Sequence, residues 1–308
     1  MSFPVDLPAI LAAITVTPDP VAIRIGPLPV FWYGIGYAAG LAAAAWIMAR
    51  EARRLAEDPD VIPTGLLVVA IAALIGGRLY HVIDQWHLYA NDPLKIVLPP
   101  YSGLGVYGGI ITGTLAAIWY TRRRGLSFWK WADIIAPGLF TMQAIARWGN
   151  FFNQELYGGP TSLPWGIAID CDHRVSAYAC SAFPAQTTFF HPLFLYESVS
   201  ALLGLAFILW LGRRFRDRLV PGDLLLVFFV WYGTTRFLLE AFRTDNWLFF
   251  GVPTAQIVSA AFVVGSLALL VIRHRGRPAT ASRVPAVPDA PDPALSAAAT
   301  ADPNRDPA

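Results

Sequence analysis

The stretch TGLLVVAIAALIGGRLYHVID, residues 64–84, carries one charged side chain, Arg78, before Asp84 ends it. At about 1.5 Å rise per residue, a helix of this length spans the roughly 30 Å hydrocarbon core of a bilayer. Six further stretches are of similar kind, at residues 30–50, 102–120, 132–148, 192–211, 223–242 and 252–272. The 308-residue chain is 56% hydrophobic and 14% charged, with a mean hydropathy of +0.49, which excludes an ordinary soluble domain. The sequence therefore predicts an all-α polytopic membrane protein with seven transmembrane helices.

Basic residues are distributed unevenly between the connections that join these predicted spans. The first–second, third–fourth and fifth–sixth connections and the C-terminal flank hold fourteen of them: Arg50, Arg53, Arg54, Arg122, Arg123, Arg124, Lys130, Arg213, Arg214, Arg216, Arg218, Arg273, Arg275 and Arg277. The opposite set holds four: Arg24, Lys95, Arg174 and Arg243. Because short basic loops stay in the cytoplasm, the pattern predicts an N-terminus outside and a C-terminus in the cytoplasm.

The chain divides into three predicted parts. Residues 1–29 form an outer N-terminal arm, residues 30–272 a seven-span membrane domain, and residues 273–308 a disordered cytoplasmic tail rich in Ala and Pro. Residues 149–191 form a small extramembrane head between spans four and five. Both cysteines, Cys171 and Cys180, fall in this head on the oxidising side, which favours a disulfide over two unpaired thiols. No metal site is predicted, since the spacing matches no zinc pattern.

Three arginines lie within the predicted spans or at their ends, at Arg78, Arg147 and Arg236. The direction of each span places all three in the outer third of the membrane. Further polar residues are expected at the same level: Tyr33, Ser102, Tyr107, Asn150, Glu155, His191, Glu197, Tyr232 and Glu240. Because the inner halves of the spans are nearly all apolar, this distribution predicts a pocket open to the outer leaflet and argues against a polar path across the membrane.

Clustered guanidiniums suggest what this pocket binds. Their forked donors match phosphate oxygens, and a phospholipid headgroup is the phosphate found at that depth. The alternative is mutual neutralisation, in which Arg236 pairs with Glu240, Arg147 with Glu155 and Arg78 with Asp84. A guanidinium in hydrocarbon is costly, and three from separate spans favour phosphate binding.

The glycines of YSGLGVYGGIITG formally match a dinucleotide-binding fingerprint at Gly103, Gly105 and Gly108. No strand precedes them and no βαβ unit forms in a membrane span, so neither nucleotide nor nucleic acid is predicted to bind. These glycines instead favour close packing against a lipid or a neighbouring helix.

Five motifs resemble one family of bacterial membrane enzymes, the prolipoprotein diacylglyceryl transferases. They are WYG at residues 32–34, GGR at 76–78, RWGNFFNQELYG at 147–158, HPLFLYE at 191–197 and YGTTRFLLEAFR at 232–243. They occur in order, each at its expected span, and RWGNFFNQELYG is the most specific of them. The resemblance covers roughly residues 30–245.

The resemblance implies an activity and a location. Family members transfer the diacylglyceryl group of phosphatidylglycerol to the lipobox cysteine of a preprolipoprotein, forming a thioether and releasing glycerol phosphate, without a cofactor. They act in the bacterial cytoplasmic (inner) membrane, with the active site facing the outer leaflet.

The resemblance also implies roles for individual residues. Arg147 and Arg236 would hold the phosphate, and Arg147, Arg236, Tyr107 and Glu240 are the catalytic candidates. The remaining residues implied to bind or line the substrate site are Asn150, Gly158, Tyr232, Arg78, Tyr33, Glu155 and Gly108.

One position departs from the family pattern. Many members carry histidine where this chain has Tyr107, and that histidine is the usual candidate for the general base. Phenols titrate near pH 10, so a tyrosine is a poor base at neutral pH. Either the histidine is dispensable, or Tyr107 acts with help from nearby cations, or Glu240 or His191 substitutes for it. We favour the first, because the arginines would themselves stabilise the thiolate of the substrate.

Other functions remain compatible with parts of the sequence. A phospholipid transporter or scramblase would bind phosphatidylglycerol without chemistry, but it predicts polar residues that continue toward the inner leaflet. A purely structural membrane protein would leave the three arginines without a purpose. A homologue with altered donor preference or lost activity is the alternative that Tyr107 raises.

Overall fold

A computed structural model describes residues 14–96, 103–243 and 246–275 of the chain. Its long helices are α1 (Trp32–Arg54), α2 (Val61–Asp84), α3 (Val106–Arg123), α4 (Phe128–Ala146), α6 (Leu193–Arg214), α7 (Asp223–Glu240) and α8 (Thr254–His274), and the short helix α5 (Trp148–Phe152) follows α4. Within these ranges the protein is mostly helical, as predicted, with one long helix for each predicted span. By length and composition, α1, α2, α6 and α8 can each cross a membrane.

Three short antiparallel strand pairs lie between the helices. They are β1 (Val21–Ile25) with β2 (Leu28–Phe31), β3 (Pro160–Thr161) with β4 (Phe189–Phe190), and β5 (Leu248–Phe249) with β6 (Val252–Pro253). The first pair begins in the predicted N-terminal arm, residues 1–29, but β2 extends two residues into the predicted first span and leads directly into α1. Residues 1–13 of that arm and 276–308 of the predicted tail lie outside the described residues, as does Ser102. Helix α8 continues to His274, two residues beyond the predicted span.

Helix α4 occupies the centre of the helical domain and packs against α1, α6 and α7. Its buried residues include Phe140, which contacts Phe228 of α7 with ring centroids 4.7 Å apart. Pro137 and Gly138, two residue types that usually weaken a helix interior, lie within α4. The helix nevertheless runs through both residues, and the Thr141 hydroxyl donates to the Pro137 carbonyl at 2.9 Å. Burial on several sides therefore stabilises a helix that composition alone made doubtful.

Large apolar side chains cover the outside of the helical domain. On α2, Ile75 is 65% exposed and Leu79 is 56% exposed, and on α8 Ile272 is 65% exposed. Such a surface is unfavourable in water and is the expected one where helices face lipid chains. The exposed surface thus supports the multi-pass membrane class that the composition predicted.

Two close helix contacts depend on glycine. A side chain at Gly108 of α3 would lie 2.2 Å from the Gly76 carbonyl oxygen of α2, and one at Gly76 would lie 2.0 Å from Thr112 Oγ1. The Thr112 hydroxyl in turn donates to the Ala72 carbonyl at 2.7 Å. Of the two partners that the sequence left open for these glycines, the structure shows the neighbouring helix.

The head, residues 149–191, is built around a small apolar cluster of Ile167, Ile169, Tyr178, Phe190 and Phe194. Backbone hydrogen bonds tie the N-terminal segment to it, from Ile14 N to Gly166 O and from Ala168 N to Ile14 O, both at 2.9 Å. Cys171 and Cys180 form a disulfide across the far side of the head.

Replacing Cys171 with serine is expected to destabilise the head by about 2–4 kcal/mol, because the disulfide restricts the unfolded loop. Activity in the folded variant should stay near wild type, since neither sulfur lies in the cluster of charged residues described below. Limited proteolysis of the purified protein should cut the head faster in Cys171→Ser. Complete loss of activity in a variant that resists proteolysis would contradict a purely structural role for the disulfide.

Candidate active site

Glu197 of α6 links two arginines that come from different helices. Its Oε2 forms an ion pair with Arg147 Nε at the end of α4, and its Oε1 lies 3.3 Å from Nη1 of Arg236 on α7. Its side chain is only 6% exposed, and those of the two arginines are 24% and 18% exposed. In such a setting charges interact more strongly than in water. One buried carboxylate therefore fixes the distance between two guanidiniums.

The ion pairs continue along α7. Arg236 Nη2 lies 2.7 Å from Glu240 Oε2, and Arg243 Nη1 lies 3.8 Å from the same oxygen. The spacing of four and three residues places these side chains on one side of the helix. Three guanidiniums thus face two carboxylates at the place where α4 and α7 end and α6 begins.

A small cavity opens between these groups. The residues that line it are Arg147, Asn150, Leu156, Leu193, Phe194, Glu197, Arg236 and Arg243. It combines forked cationic donors with apolar walls, an arrangement that favours an anionic group attached to an apolar body.

The segment RWGNFFNQELYG forms one wall of the site through a tight reversal after α5. Asn150 is buried and its Nδ2 donates to Glu155 Oε1 at 2.9 Å. Gln154 and Leu156 adopt positive φ values of 51° and 55°, which are uncommon for residues other than glycine. Gln154 is held there by Asp170, whose backbone N donates to Gln154 Oε1 and whose Oδ2 accepts from Gln154 Nε2, both at 2.8 Å. The head thus stabilises the strained turn that positions Asn150 and Glu155.

Gly158 lies where the head meets the end of α7. Its N donates to the His191 carbonyl at 2.9 Å, and the next residue, Gly159, donates to the Phe242 carbonyl at 3.0 Å. A side chain at Gly158 would come within 2.8 Å of His191 Cβ and 3.2 Å of the Phe242 carbonyl oxygen. The glycine therefore allows the segment before α6 to approach α7 closely enough to form the charged cluster.

Tyr33 and Tyr232 both lie on helices that border the charged cluster. The Tyr33 hydroxyl is 3.1 Å from that of Tyr37, and its ring occupies the space where a side chain at Gly149 would lie, 2.5 Å from Tyr33 Cδ2. Tyr232 stacks on Phe228 and packs against the apolar core around α4. Both rings support the backbone on either side of Arg147 and Arg236.

Arg78 lies apart from this cluster. Its guanidinium donates to the carbonyl oxygens of Lys95 at 2.8 Å, Ile96 at 3.1 Å and Gly103 at 3.3 Å. Among the residues that the structure describes, it does not line the cavity that Arg147 and Arg236 share. Depth in the membrane had suggested that the three arginines converge, but Arg78 instead binds the chain that joins α2 to α3.

Tyr107 and Gly108 belong to the same α2–α3 unit as Arg78. Tyr107 is the second residue of α3, and its ring centroid lies 6.1 Å from that of Tyr80 on α2. Gly108 contacts the α2 backbone, as described above. Among the residues that the structure describes, both of these predicted site residues contact α2 and neither lines the cavity between the arginines.

Two residues of the cluster were not among the predicted site residues. Glu197 was recognised only as a polar residue near the start of span five, and Arg243 only as a cation of an outer connection. The sequence signal that could have identified them is the motif itself, because Glu197 ends HPLFLYE and Arg243 ends YGTTRFLLEAFR. The pairing alternative was partly right, since Arg236 does bind Glu240, but Arg147 binds Glu197 and not Glu155.

The fold and the site together define a class: a multi-pass helical membrane protein with a largely buried cluster of arginines and carboxylates. A family model described as prolipoprotein diacylglyceryl transferase matches residues 20–272. The chain belongs to this family.

Curated relatives extend over most of the chain. It is 38% identical over 264 residues to the phosphatidylglycerol–prolipoprotein diacylglyceryl transferase of Chloroflexus aggregans, covering 81% of this chain and 87% of that protein. The enzyme of the same name from Synechococcus elongatus is 37% identical over 267 residues, covering 85% and 90%. That of Bacillus cereus is 34% identical over 257 residues, covering 83% and 93%. The similarity therefore includes the helices, the head and all of the charged cluster.

Proposed function

We propose that this protein transfers the diacylglyceryl group of phosphatidylglycerol to the cysteine thiol of a prolipoprotein. In this reaction a bond forms between the cysteine sulfur and a glycerol carbon of the donor. The bond between that carbon and the phosphate oxygen breaks, and glycerol phosphate leaves with the bonding electrons. The observation that carries the proposal is the pair of guanidiniums of Arg147 and Arg236, held by Glu197 in a chain that belongs to this family.

The two arginines have a clear chemical task in this reaction. A phosphodiester is a sluggish leaving group unless the charge that develops on it is stabilised. Donors that are already positioned where this charge develops lower the barrier, because they need no rearrangement during the reaction. We assign Arg147 and Arg236 to the phosphate, with Asn150, Glu155, Gly158 and Tyr232 supporting the walls of the site. Glu240 shares Arg236 with Glu197 and sets the orientation of its fork.

The thiol of the substrate must lose its proton to react. A free cysteine has a pKa of about 8.5, and a nearby positive field favours the thiolate. The guanidiniums of Arg147 and Arg236, which line the cavity, would provide such a field. His191 is a candidate for accepting this proton, because burial lowers its pKa and keeps the imidazole neutral. Its Nδ1 lies 3.1 Å from the Tyr196 hydroxyl, which also accepts from Trp165 Nε1 at 2.9 Å.

Tyr107→Phe tests whether the phenol takes part in the reaction. We expect the rate of transfer to stay within about threefold of wild type. If the phenol neither binds the phosphate nor takes the proton, the substitution removes no more than one surface hydrogen bond. The measurement is kcat/KM for peptide modification between pH 6 and 9. A loss of about a hundredfold, the size typical of general acid–base catalysis, would assign Tyr107 a direct role.

The orientation of the protein follows from its cations. We assign the first–second, third–fourth and fifth–sixth connections and the C-terminal flank, with their fourteen cations, to the cytoplasm, and the head, the disulfide and the charged cluster to the opposite side. The N-terminus is then outside, and the cluster faces the outer leaflet of the bacterial cytoplasmic (inner) membrane. This is the side on which the lipobox of an exported prolipoprotein would arrive, and where a disulfide is stable.

The direct test incubates purified protein with phosphatidylglycerol vesicles and a synthetic lipobox peptide. Mass spectrometry is expected to show a peptide heavier by one diacylglyceryl group, with glycerol phosphate released in equal amount. A peptide whose cysteine is replaced by serine is the control and should stay unmodified. No adduct under conditions in which a known family member works would refute the proposal, and binding of the lipid alone would favour a transporter.

A further inference from the structure

An apolar groove of about 270 Å³ lies between α1, the junction of α4 and α5, and α6. Its walls include Ile35 and Gly36 of α1, Ala144 and Ile145 of α4, Trp148 of α5 and Leu202 of α6. Ser198 also lines it, but its hydroxyl donates to the Ala144 carbonyl at 2.7 Å and so is already satisfied. The groove therefore offers packing surface and little polar recognition.

The groove begins beside the charged cluster. Trp148 and Ser198 directly follow Arg147 and Glu197 along the chain. The Trp148 ring lies 5.3 Å, centroid to centroid, from that of Phe194, which lines the arginine cavity. A single aromatic contact thus separates an anion site from an apolar groove. This combination matches a molecule that carries a phosphate at one end and a hydrocarbon chain at the other.

The size of the groove limits what it can hold. Sites that enclose a drug-sized ligand measure about 300–1,000 Å³, so this groove is too small for both chains of a phospholipid. Near α5 the stacked rings of Trp32 and Phe152, 4.9 Å apart, form one end. Gly36 and Leu202 lie one helical turn further along α1 and α6 than Trp32 and Ser198, so they form the deeper part.

We propose that this groove holds a segment of one acyl chain of the donor phospholipid and that its deeper part sets the preference for acyl-chain length. The proposal rests on the proposed function, since it concerns the lipid whose phosphate binds Arg147 and Arg236. A chain that leaves the bilayer for this groove moves between two apolar surroundings and gains little hydrophobic free energy. The groove consequently discriminates by shape, and filling it should exclude the chains that reach it.

Gly36 allows a clean test by filling the groove. A Cβ atom there would meet no atom within 4 Å, so Gly36→Leu starts its side chain in open space without requiring the backbone to move. Gly265→Leu on α8 is the matched control, because that glycine is also open and lies away from the groove. A second pair comes from α6: Leu202→Trp fills the groove from the opposite wall, and its neighbour Leu203, 58% exposed, gives the control Leu203→Trp.

The measurement is kcat/KM for peptide modification with dioleoyl phosphatidylglycerol and with dihexanoyl phosphatidylglycerol. For Gly36→Leu and Leu202→Trp we expect about a tenfold or larger loss with the dioleoyl donor, the size that overpacking of an apolar site produces. With the dihexanoyl donor both should stay within about twofold of wild type, because a short chain does not reach the deeper part, and both controls should keep the wild-type ratio. The proposal would be overturned if the ratio of kcat/KM between the dioleoyl and dihexanoyl donors stayed at the wild-type value, whether or not both rates fall. An increase confined to the KM for the peptide would also overturn it.

A second measurement does not depend on turnover. Phosphatidylglycerol with a photoactivatable diazirine near the end of one acyl chain is expected to label residues 32–36 or 198–202 of the wild-type protein, and Gly36→Leu should abolish this labelling. Labelling confined to other segments would overturn the acyl-chain assignment even if transfer is normal. Labelling of the groove without any transfer would instead refute the proposed function and leave the lipid site standing.

Discussion

Arg236→Ala is expected to reduce diacylglyceryl transfer by roughly 10²- to 10³-fold, the loss typical when one preorganised donor to a developing negative charge is removed. Arg147→Ala should behave in the same way, because each arginine supplies one side of the proposed phosphate site. Both variants are expected to fold. In Arg236→Ala, Glu240 still forms an ion pair with Arg243, and Glu197 still forms one with Arg147. In Arg147→Ala, Glu197 still forms an ion pair with Arg236.

Charge and geometry can be separated at the same position. Arg236→Lys keeps the positive charge but loses the planar fork that reaches Glu197 and Glu240 together, so we expect its rate between those of wild type and Arg236→Ala. Arg50→Ala is the control, since Arg50 is an exposed cation that lies over Trp46 near the far end of α1. Turnover in Arg236→Ala within about tenfold of that in Arg50→Ala would contradict the assignment of Arg236 to the phosphate.

Glu197→Ala is expected to lower both stability and transfer. The substitution removes the carboxylate between two guanidiniums that are mostly buried, and breaking a buried ion pair costs about 3–5 kcal/mol. Arg147 and Arg236 then repel each other and lose the spacing that fits one phosphate. Glu197→Asp keeps the charge with a shorter reach, so its melting temperature should fall less than that of Glu197→Ala while transfer still falls.

A double-mutant cycle measures this interaction directly. Combining Glu197→Ala with Arg147→Ala should reveal a coupling free energy of about 0.5–3 kcal/mol in thermal unfolding of the detergent-solubilised protein. The control is Glu57→Ala, which removes a carboxylate from a more exposed ion pair with Lys130 and should cost about 1 kcal/mol or less. If Glu197→Ala has the same melting temperature and the same rate of transfer as Glu57→Ala, Glu197 does not organise the site.

Much of the fold could be predicted because the relevant signals are local. Apolar length and composition identified each long helix to within a few residues, including α7, which begins at the predicted Asp223. In α4, Pro137 would by itself argue against a helix, but it is tolerated because neighbouring helices bury α4 on several sides. The short strand pairs were not predicted, since two to five residues carry no usable periodicity.

The candidate site was predictable in its members but not in its connections. Arg147, Asn150, Glu155, Arg236 and Glu240 were each identified, and the structure places them around one cavity or directly beside it. The central position of Glu197 was missed, because nothing in HPLFLYE shows that α6 packs against both α4 and α7. Arg78 was expected to join the cluster from its depth alone, yet depth leaves the lateral position of α2 undetermined.

The sequence by itself determined that the chain is a multi-pass helical membrane protein, where its helices lie to within a few residues, and which family its motifs resemble. These properties depend on the length of apolar segments and on residues that are close in sequence. Only the tertiary structure decided which guanidinium meets which carboxylate, that Arg78 binds the α2–α3 connection, and that an apolar groove opens beside Trp148. The physical reason is that ion pairs and grooves form between helices, and side-chain packing across many residues sets which helices are neighbours.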